Sequence, residues 1–315
     1  MDPILSAICD QHGVFLAGEA DALGYDSHAL AKLRRTGLVH RVRRGAYVDT
    51  ETWDALTRNE RYGLLCRAAV RQAKTEVLLS HISSAGVWGA PLWDLDLSEA
   101  HLTRADGKTG RREAGIRQHR GVLLPGDVEE HSGLRVMGPT RTALEVTTVA
   151  DVEHSMVEID DLLHRGLTDL DRLRSRYELM DRWPDTLRTD LILRLVDGRS
   201  ESVGESRLRY LCWAQGLPAP TPNYAIRDSE GNVIARVDLA WPELGLFVEF
   251  DGKMKYAALV RQGESVKDVI LREQRREELI CAMTGWRCLR IVWADLHRPA
   301  ETASRIRSLF RPAAA

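Results

Sequence analysis

Apolar residues recur at helical spacing from the start of the chain: Ile4, Ile8 and Cys9 share one face, and Gly13 stops that helix. Glu19 to Leu23 continue as a short second helix that Gly24 ends. Ser27 is expected to cap a third helix, with Ala29, Leu30 and Leu33 inward and Gly37 closing it. The segment LVHRVRRGAYV then alternates as two short strands around an Arg43-Arg44-Gly45 turn. From about 55 to 195 helical and extended patterns alternate, and Asp151 to Met180 reads as an amphipathic helical stretch rich in Asp, Glu and Arg. Near Ser200 the pattern sharpens. A helix carries Glu205, Leu208 and Cys212 on one face. VIARVDLA (233–240) alternates as a half-buried strand, LFVEF (246–250) is a second strand, and Trp241-Pro242-Glu243-Leu244-Gly245 supplies the turn. Val266 to Met283 follows as a helix ended by Gly285, then Trp286 to Trp293 as a strand, then a last helix opened by Ala294-Asp295-Leu296.

Composition adds exclusions. The chain is 44% hydrophobic and 29% charged, and it has no apolar run approaching the roughly 18 residues of a membrane span. No membrane partner is expected. Its first residues have no basic start followed by an apolar block, so a secretory signal is not expected. Cys9, Cys66, Cys212, Cys281 and Cys288 are odd in number and form no CxxC pair, which reads as reduced core thiols in a cytoplasmic protein. His81, His101, His119 and His131 do not fall at metal-ligand spacing, and each reads as a satisfied or exposed side chain. The net charge of -2 suggests no partner by itself. Its distribution does. Between Ser27 and Val48 stand Lys32, Arg34, Arg35, Arg41, Arg43 and Arg44 and no carboxylate, and solvated faces normally mix signs. Helix, turn, helix and basic hairpin is the order of a winged helix-turn-helix, in which the third helix enters the major groove and the wing touches phosphate or the minor groove. The six basic residues are the expected DNA contacts.

The C-terminal strands carry the second constellation. If they form a hairpin, facing residues have numbers of constant sum, and a turn centred between Glu243 and Leu244 sets Asp238 opposite Glu249. Facing side chains on paired strands have Cβ atoms about 5 Å apart. Two carboxylates that close repel unless one is protonated or a cation joins them, and Mg²⁺ (or Mn²⁺) suits such a pair. The same face continues at Asp251 and Lys253. Acids on adjacent strands followed by a lysine is the arrangement of the PD-(D/E)XK nucleases. The expected catalytic set is Asp238, Glu249, Asp251, Lys253 and Glu205, with the four carboxylates as metal ligands. Two readings of Glu205 stay open: a further ligand, or the N3 partner of a capping box with Ser202. Glu273 interrupts an apolar stripe of the following helix, so it and Arg276 are expected to look toward the acids. Arg236 would face Asp251 across the hairpin and could neutralise it.

Two resemblances follow from these residues. Leu33-Arg34-Arg35 through Arg43-Arg44-Gly45-Ala46-Tyr47-Val48 resembles the N-terminal domain of AbiEi-type antitoxins, and Gly138-Pro139-Thr140-Arg141-Thr142-Ala143-Leu144 resembles an element in the middle of such proteins. Residues of about 200 to 310 resemble a bacterial domain family related to very-short-patch repair endonucleases. The matching segments are Gly204-Glu205-Ser206, Arg236 to Ala240, Val248 to Lys253 and Gly285 to Arg290. Asp251 stands where the nuclease consensus has lysine. The lysines come later, as Lys253 and Lys255, and Tyr256 lies where family members often place a histidine. The general base is therefore unassigned. The expected fold is α+β and multidomain: a winged helix-turn-helix over 1–52, a mixed α/β connecting region over 53–198, and an αβββαβ restriction-endonuclease-like domain over 199–315. The leading expectation is a metal-dependent DNA endonuclease or nickase. The alternative is a transcriptional repressor or antitoxin of an AbiE-like system with a cognate toxin and a non-catalytic nuclease-like domain. Cleavage of both strands would call for a homodimer.

Overall fold

The computed structural model describes residues 3–108, 110–180, 183, 185–252 and 266–311, with side chains in the last segment from 271 onward. It forms two compact units: Met1–Ala150 with Thr168–Thr189, and Asp151–Leu167 with Asp190–Ala315. It is a mixed α/β structure with three sheets.

The first unit opens with α1 (Pro3–His12), β1 (Phe15–Leu16), α2 (Ala17–Ala22), α3 (Ser27–Arg35), β2 (Val39–Arg43) and β3 (Ala46–Asp49). Gly13, Gly24, Gly37 and Gly45 take φ between 74° and 85°, the left-handed conformation that lets each element stop and turn. The N-cap of α3 is Asp26 and not Ser27: its carboxylate accepts the Ala29 N–H at 2.8 Å. An ionised oxygen is the stronger acceptor for an orphan helix donor. Leu5, Phe15, Ala20, Leu30 and Val39 bury together, which joins the three helices to a sheet of order β1-β3-β2.

The unit continues through α4 (Thr50–Ala55), α5 (Arg58–Arg71), β4 (Val77–Leu79), α6 (His81–Val87), β5 (Ala100–Arg104), β6 (Arg112–Glu113), β7 (Ile116–His119), β8 (Val128–His131), β9 (Leu134–Met137) and α7 (Pro139–Val149). Its six-stranded sheet runs β6-β7-β5-β4-β9-β8, with β5–β7 and β4–β9 parallel and the other pairs antiparallel. Pro139 opens α7 at a position where no N–H is needed, and Arg141 to Thr147 are all buried.

The chain then gives α8 (Val152–His164) to the second unit, returns to the first as α9 (Leu170–Glu178), and passes through α10 (Thr189–Leu195). The helical stretch expected from Asp151 to Met180 is thus broken at Gly166, whose φ is +66°.

The second unit has α11 (Val203–Ala214), β10 (Thr221–Arg227), β11 (Val233–Trp241), β12 (Leu246–Asp251), α12 (Val266–Thr284), β13 (Arg287–Val292), α13 (Trp293–Leu296) and α14 (Pro299–Leu309). The sheet order is β10-β11-β12-β13, antiparallel except for the parallel β12–β13 pair. A parallel pair needs a crossover, and α12 lies within it. Leu208, Leu211 and Ile306 pack on the face carrying Leu239, Val248 and Phe250, while Ile280 packs on the face of Val237, Ala240 and Phe247. α8 is tied in by Asp160, which is buried. It accepts from Asp197 N–H, Ser206 Oγ and Arg209 Nη1, each at 2.7 Å. Among the described residues no helix is long and apolar enough to cross a membrane.

Candidate functional site

The basic segment is presented by α3 and the β2–β3 hairpin. α3 turns Leu30 and Leu33 into the core, and Lys32, Arg34 and Arg35 are exposed. Arg41 on β2 and Arg44 in the turn are exposed as well. Arg43 is used differently. Its Nη1 donates to Gln72 Oε1 at 2.8 Å and its Nη2 to the Ala114 carbonyl at 3.3 Å, and burial lowers its pKa. Gln72 in turn donates from Nε2 to the Arg44 carbonyl at 3.0 Å. A Cβ on Gly45 would sit 3.0 Å from that same Nε2, so the absence of a side chain there lets Gln72 reach the turn. Arg43 is a brace for the hairpin, and five of the six expected contacts form its accessible cationic surface.

In the second unit β11 and β12 pair Leu239 with Val248, Ala240 with Phe247 and Trp241 with Leu246. That is the expected register, and the paired residues end at Leu239 and Val248, the chain neighbours of Asp238 and Glu249. Both acids are half-buried. Their oxygens already serve other groups. Asp238 Oδ2 accepts the Phe250 N–H at 2.7 Å, and Glu249 Oε1 lies 3.5 Å from Arg276 Nη2. Arg276 Nη1 also binds Glu273 Oε2 at 3.1 Å, so these two α12 residues do face the strand acids. Arg236 Nη1 donates to the Asn223 carbonyl at 3.3 Å.

Glu205 is buried at the start of α11, whose Leu208 and Leu211 pack on the face of Val248 and Phe250. Glu249 alternates to the opposite face, that of Phe247. Glu205 Oε1 accepts the Ser202 hydroxyl at 2.7 Å and Oε2 accepts the Glu201 N–H at 2.9 Å. Ser202 caps α11, accepting the Glu205 N–H at 3.3 Å, and the Glu205 carboxylate bonds back to the hydroxyl of that cap. Asp251 closes β12 opposite Val292 of β13. Lys253, with Lys255 and Tyr256, lies outside the described residues.

Among the described residues, three histidines bring potential ligand atoms together. One potential ligand atom each from His81, His101 and His119 lie within 4.8 Å of one another. Their spacing in the sequence gives no sign of this convergence, and their ring nitrogens have partners, as the reading of satisfied side chains expects. His101 and His119 come from the parallel strands β5 and β7, with His119 Nε2 3.0 Å from His101 Nδ1. His81 opens α6 at φ +51°, and its ring stacks on His119 with centroids 3.6 Å apart. Burial and neighbouring positive charge hold His101 down to about 4 and His119 to about 3, and push His81 well below its usual value. All three are neutral at neutral pH. His131 is exposed and lies against Trp88.

Glu145 connects this group to a buried ion network. It accepts the His81 N–H at 3.0 Å through Oε2 and Arg141 Nε at 2.8 Å through Oε1. Arg141 Nη1 reaches Asp127 at 3.0 Å, and Arg176 reaches the same carboxylate at 2.7 Å. Arg141 also lies 3.9 Å from the centroid of the Trp183 ring. The Pro139-Thr140-Arg141-Thr142 phrase is thus the structural hub of the first unit.

Comparison with known proteins places one part of the chain. Residues 3–48 match the family described as transcriptional regulator, AbiEi antitoxin. The matched segment holds α1 to α3 and all but the last residue of the β2–β3 hairpin. Two curated relatives, both named uncharacterized proteins and both from Mycobacterium tuberculosis, are 34% identical over 116 residues, which is 36% of this chain and 39% of theirs. The chain therefore spans about two fifths of the length of the curated relatives it matches.

Proposed function

We propose that the chain is a DNA-binding transcriptional regulator of the antitoxin type that acts in the cytoplasm beside a cognate toxin. The observation that supports this best is the surface of α3 and the hairpin. Lys32, Arg34, Arg35, Arg41 and Arg44 are exposed there on a segment without a carboxylate, inside the stretch that matches the AbiEi regulator family. In this reading residues 3–49 act as a winged helix. α3 lies in the major groove and Arg44, at the hairpin tip, lies on phosphate or in the minor groove. Each cation displaces condensed counterions, so affinity is electrostatic and local despite the net charge of -2. The test is a mobility shift of labelled duplex DNA by the full chain, repeated with the five exposed cations changed to alanine. A shift lost in the variant while its circular dichroism matches wild type supports the reading. An equal shift in both overturns it.

A second reading, metal-dependent DNA cleavage by the C-terminal unit, is favoured by one observation. The β11–β12 pairing ends at Leu239 and Val248, whose chain neighbours are Asp238 and Glu249, within an α11-β10-β11-β12-α12-β13 order like that of a restriction-endonuclease-like domain. In that reading Asp238 and Glu249 would exchange their present contacts with Phe250 N–H and Arg276 for Mg²⁺ or Mn²⁺. Cleavage of supercoiled plasmid with either metal, abolished by both Asp238→Ala and Glu249→Ala, would establish this activity. Shift without cleavage leaves the unit a non-catalytic part of the regulator.

A further inference from the structure

We propose that His81, His101 and His119 form a binding site for a late first-row divalent metal, of which Zn²⁺ is the representative, within the first unit. Three imidazoles drawn from α6, β5 and β7 converge with potential ligand atoms inside 4.8 Å. Two imidazole nitrogens on one tetrahedral zinc, with bonds of about 2.0–2.1 Å, lie about 3.3 Å apart. The Nε2 of His119 and Nδ1 of His101 are already 3.0 Å apart. Coordination also requires the rings, of which His119 now stacks at 20° on each of the other two, to turn about their side-chain bonds until their in-plane lone pairs meet at one point.

The surroundings fit the donor set. Metal takes the neutral imidazole, and His81 and His101 are buried while His119 is half-buried. A metal-binding histidine commonly gives its other ring nitrogen to a carboxylate or hydroxyl, which fixes its orientation. His81 Nδ1 lies 3.0 Å from Ser80 Oγ and 3.4 Å from Glu145 Oε2. Thr103 supplies an independent sign. It faces His119 directly across the β5–β7 ladder, on the side of the sheet that His101 shares, and its buried Oγ1 has no hydrogen-bond partner. Such an atom is available to a fourth ligand. Charge sets the affinity. Arg141 is compensated by Glu145 and Asp127, but Arg117, opposite His101, opposes a cation. The expected affinity is therefore moderate, and direct titration tests the site better than metal content after purification.

The experiment uses the tag-free full chain, stripped with chelator and titrated with Co²⁺ at neutral pH. Visible d–d absorption should saturate at about one equivalent and vanish on addition of Zn²⁺. Loss of a supporting hydrogen bond costs metal sites about 10- to 100-fold, so loss of a ligand in His119→Ala should weaken binding by about 100-fold or more. Asp238→Asn should leave the titration unchanged, which separates this site from the C-terminal acids. His119 is half-buried, so its replacement is the mildest of the three. Should it unfold the chain, the wild type still decides. Substoichiometric Co²⁺ should broaden the ring resonances of His81, His101 and His119 before those of exposed His28 and His131. Absence of binding, binding unchanged in folded His119→Ala, or broadening that begins at exposed histidines would each overturn the proposal.

Discussion

Neighbouring arginines in the hairpin should respond differently to the same substitution. Arg44 is exposed at the turn, whereas Arg43 is spent on Gln72 and the Ala114 carbonyl. Each phosphate neutralised on duplex DNA contributes about -0.9 to the slope of log K against log salt, so five contacts give about -4.5. Between 50 and 200 mM salt that slope lowers affinity by about 500-fold. Replacing Arg34 and Arg35 by alanine leaves three contacts, a slope of about -2.7 and a loss of about 40-fold over the same range. Arg44→Ala should reduce the slope by about 0.9, and Arg43→Ala should leave it where it was. Arg43→Ala instead removes hydrogen bonds worth about 0.5–1.5 kcal/mol each and should lower the unfolding midpoint. Fluorescence anisotropy of labelled random-sequence duplex, titrated in a KCl series, reads the slopes; urea denaturation reads stability. Equal slopes for wild type and the Arg34/Arg35 variant, or a slope that falls in Arg43→Ala as much as in Arg44→Ala, would refute the assignment of contacts.

Three further outcomes follow from packing and charge. Gly204→Ala places a Cβ against Phe250 Cε1, Cδ1 and Cζ, and Phe250 is held edge-on by Trp293, so stability should fall by about 1–3 kcal/mol or more in urea denaturation. Arg141→Ala strands the buried carboxylate of Glu145, while Asp127 keeps Arg176, and should cost about 3–5 kcal/mol, part of which Arg141→Ala/Glu145→Gln recovers. His119 is held neutral when folded, with a pKa of about 3, but protonates near 6.5 when unfolded. Its contribution is therefore complete above pH 6.5 and is lost as the pH falls toward 3. The difference in stability between wild type and His119→Ala should shift by about 1.4 kcal/mol per pH unit between roughly pH 6 and 4, and a flat difference would contradict the burial of a neutral ring.

What could be read from the chain and what could not divides by sequence distance. The ends of α1, α2 and α3 were legible because Gly13, Gly24 and Gly37 supply the left-handed φ that no other residue adopts as easily. The β11–β12 register was legible because a short turn ties two strands together, and the pairing of Leu239 with Val248 needs nothing from elsewhere. The Glu205 cap was legible as one of two alternatives for the same reason, since Ser202 stands three positions away. The bracing of Arg43 was not legible because its partner, Gln72, is 29 positions on, and a basic run shows charge but not which cation already has a partner. The convergence of the histidines was the least legible. Ligand spacing is a property of one helix or one turn, whereas His81, His101 and His119 meet only after β5 and β7 align in parallel and α6 starts beside them. A stretch without a motif is therefore a stretch without local chemistry. From 77 to 149 that silence coincides with a buried network of Glu145, Arg141 and Asp127 in which every tie spans separate elements or a helical turn.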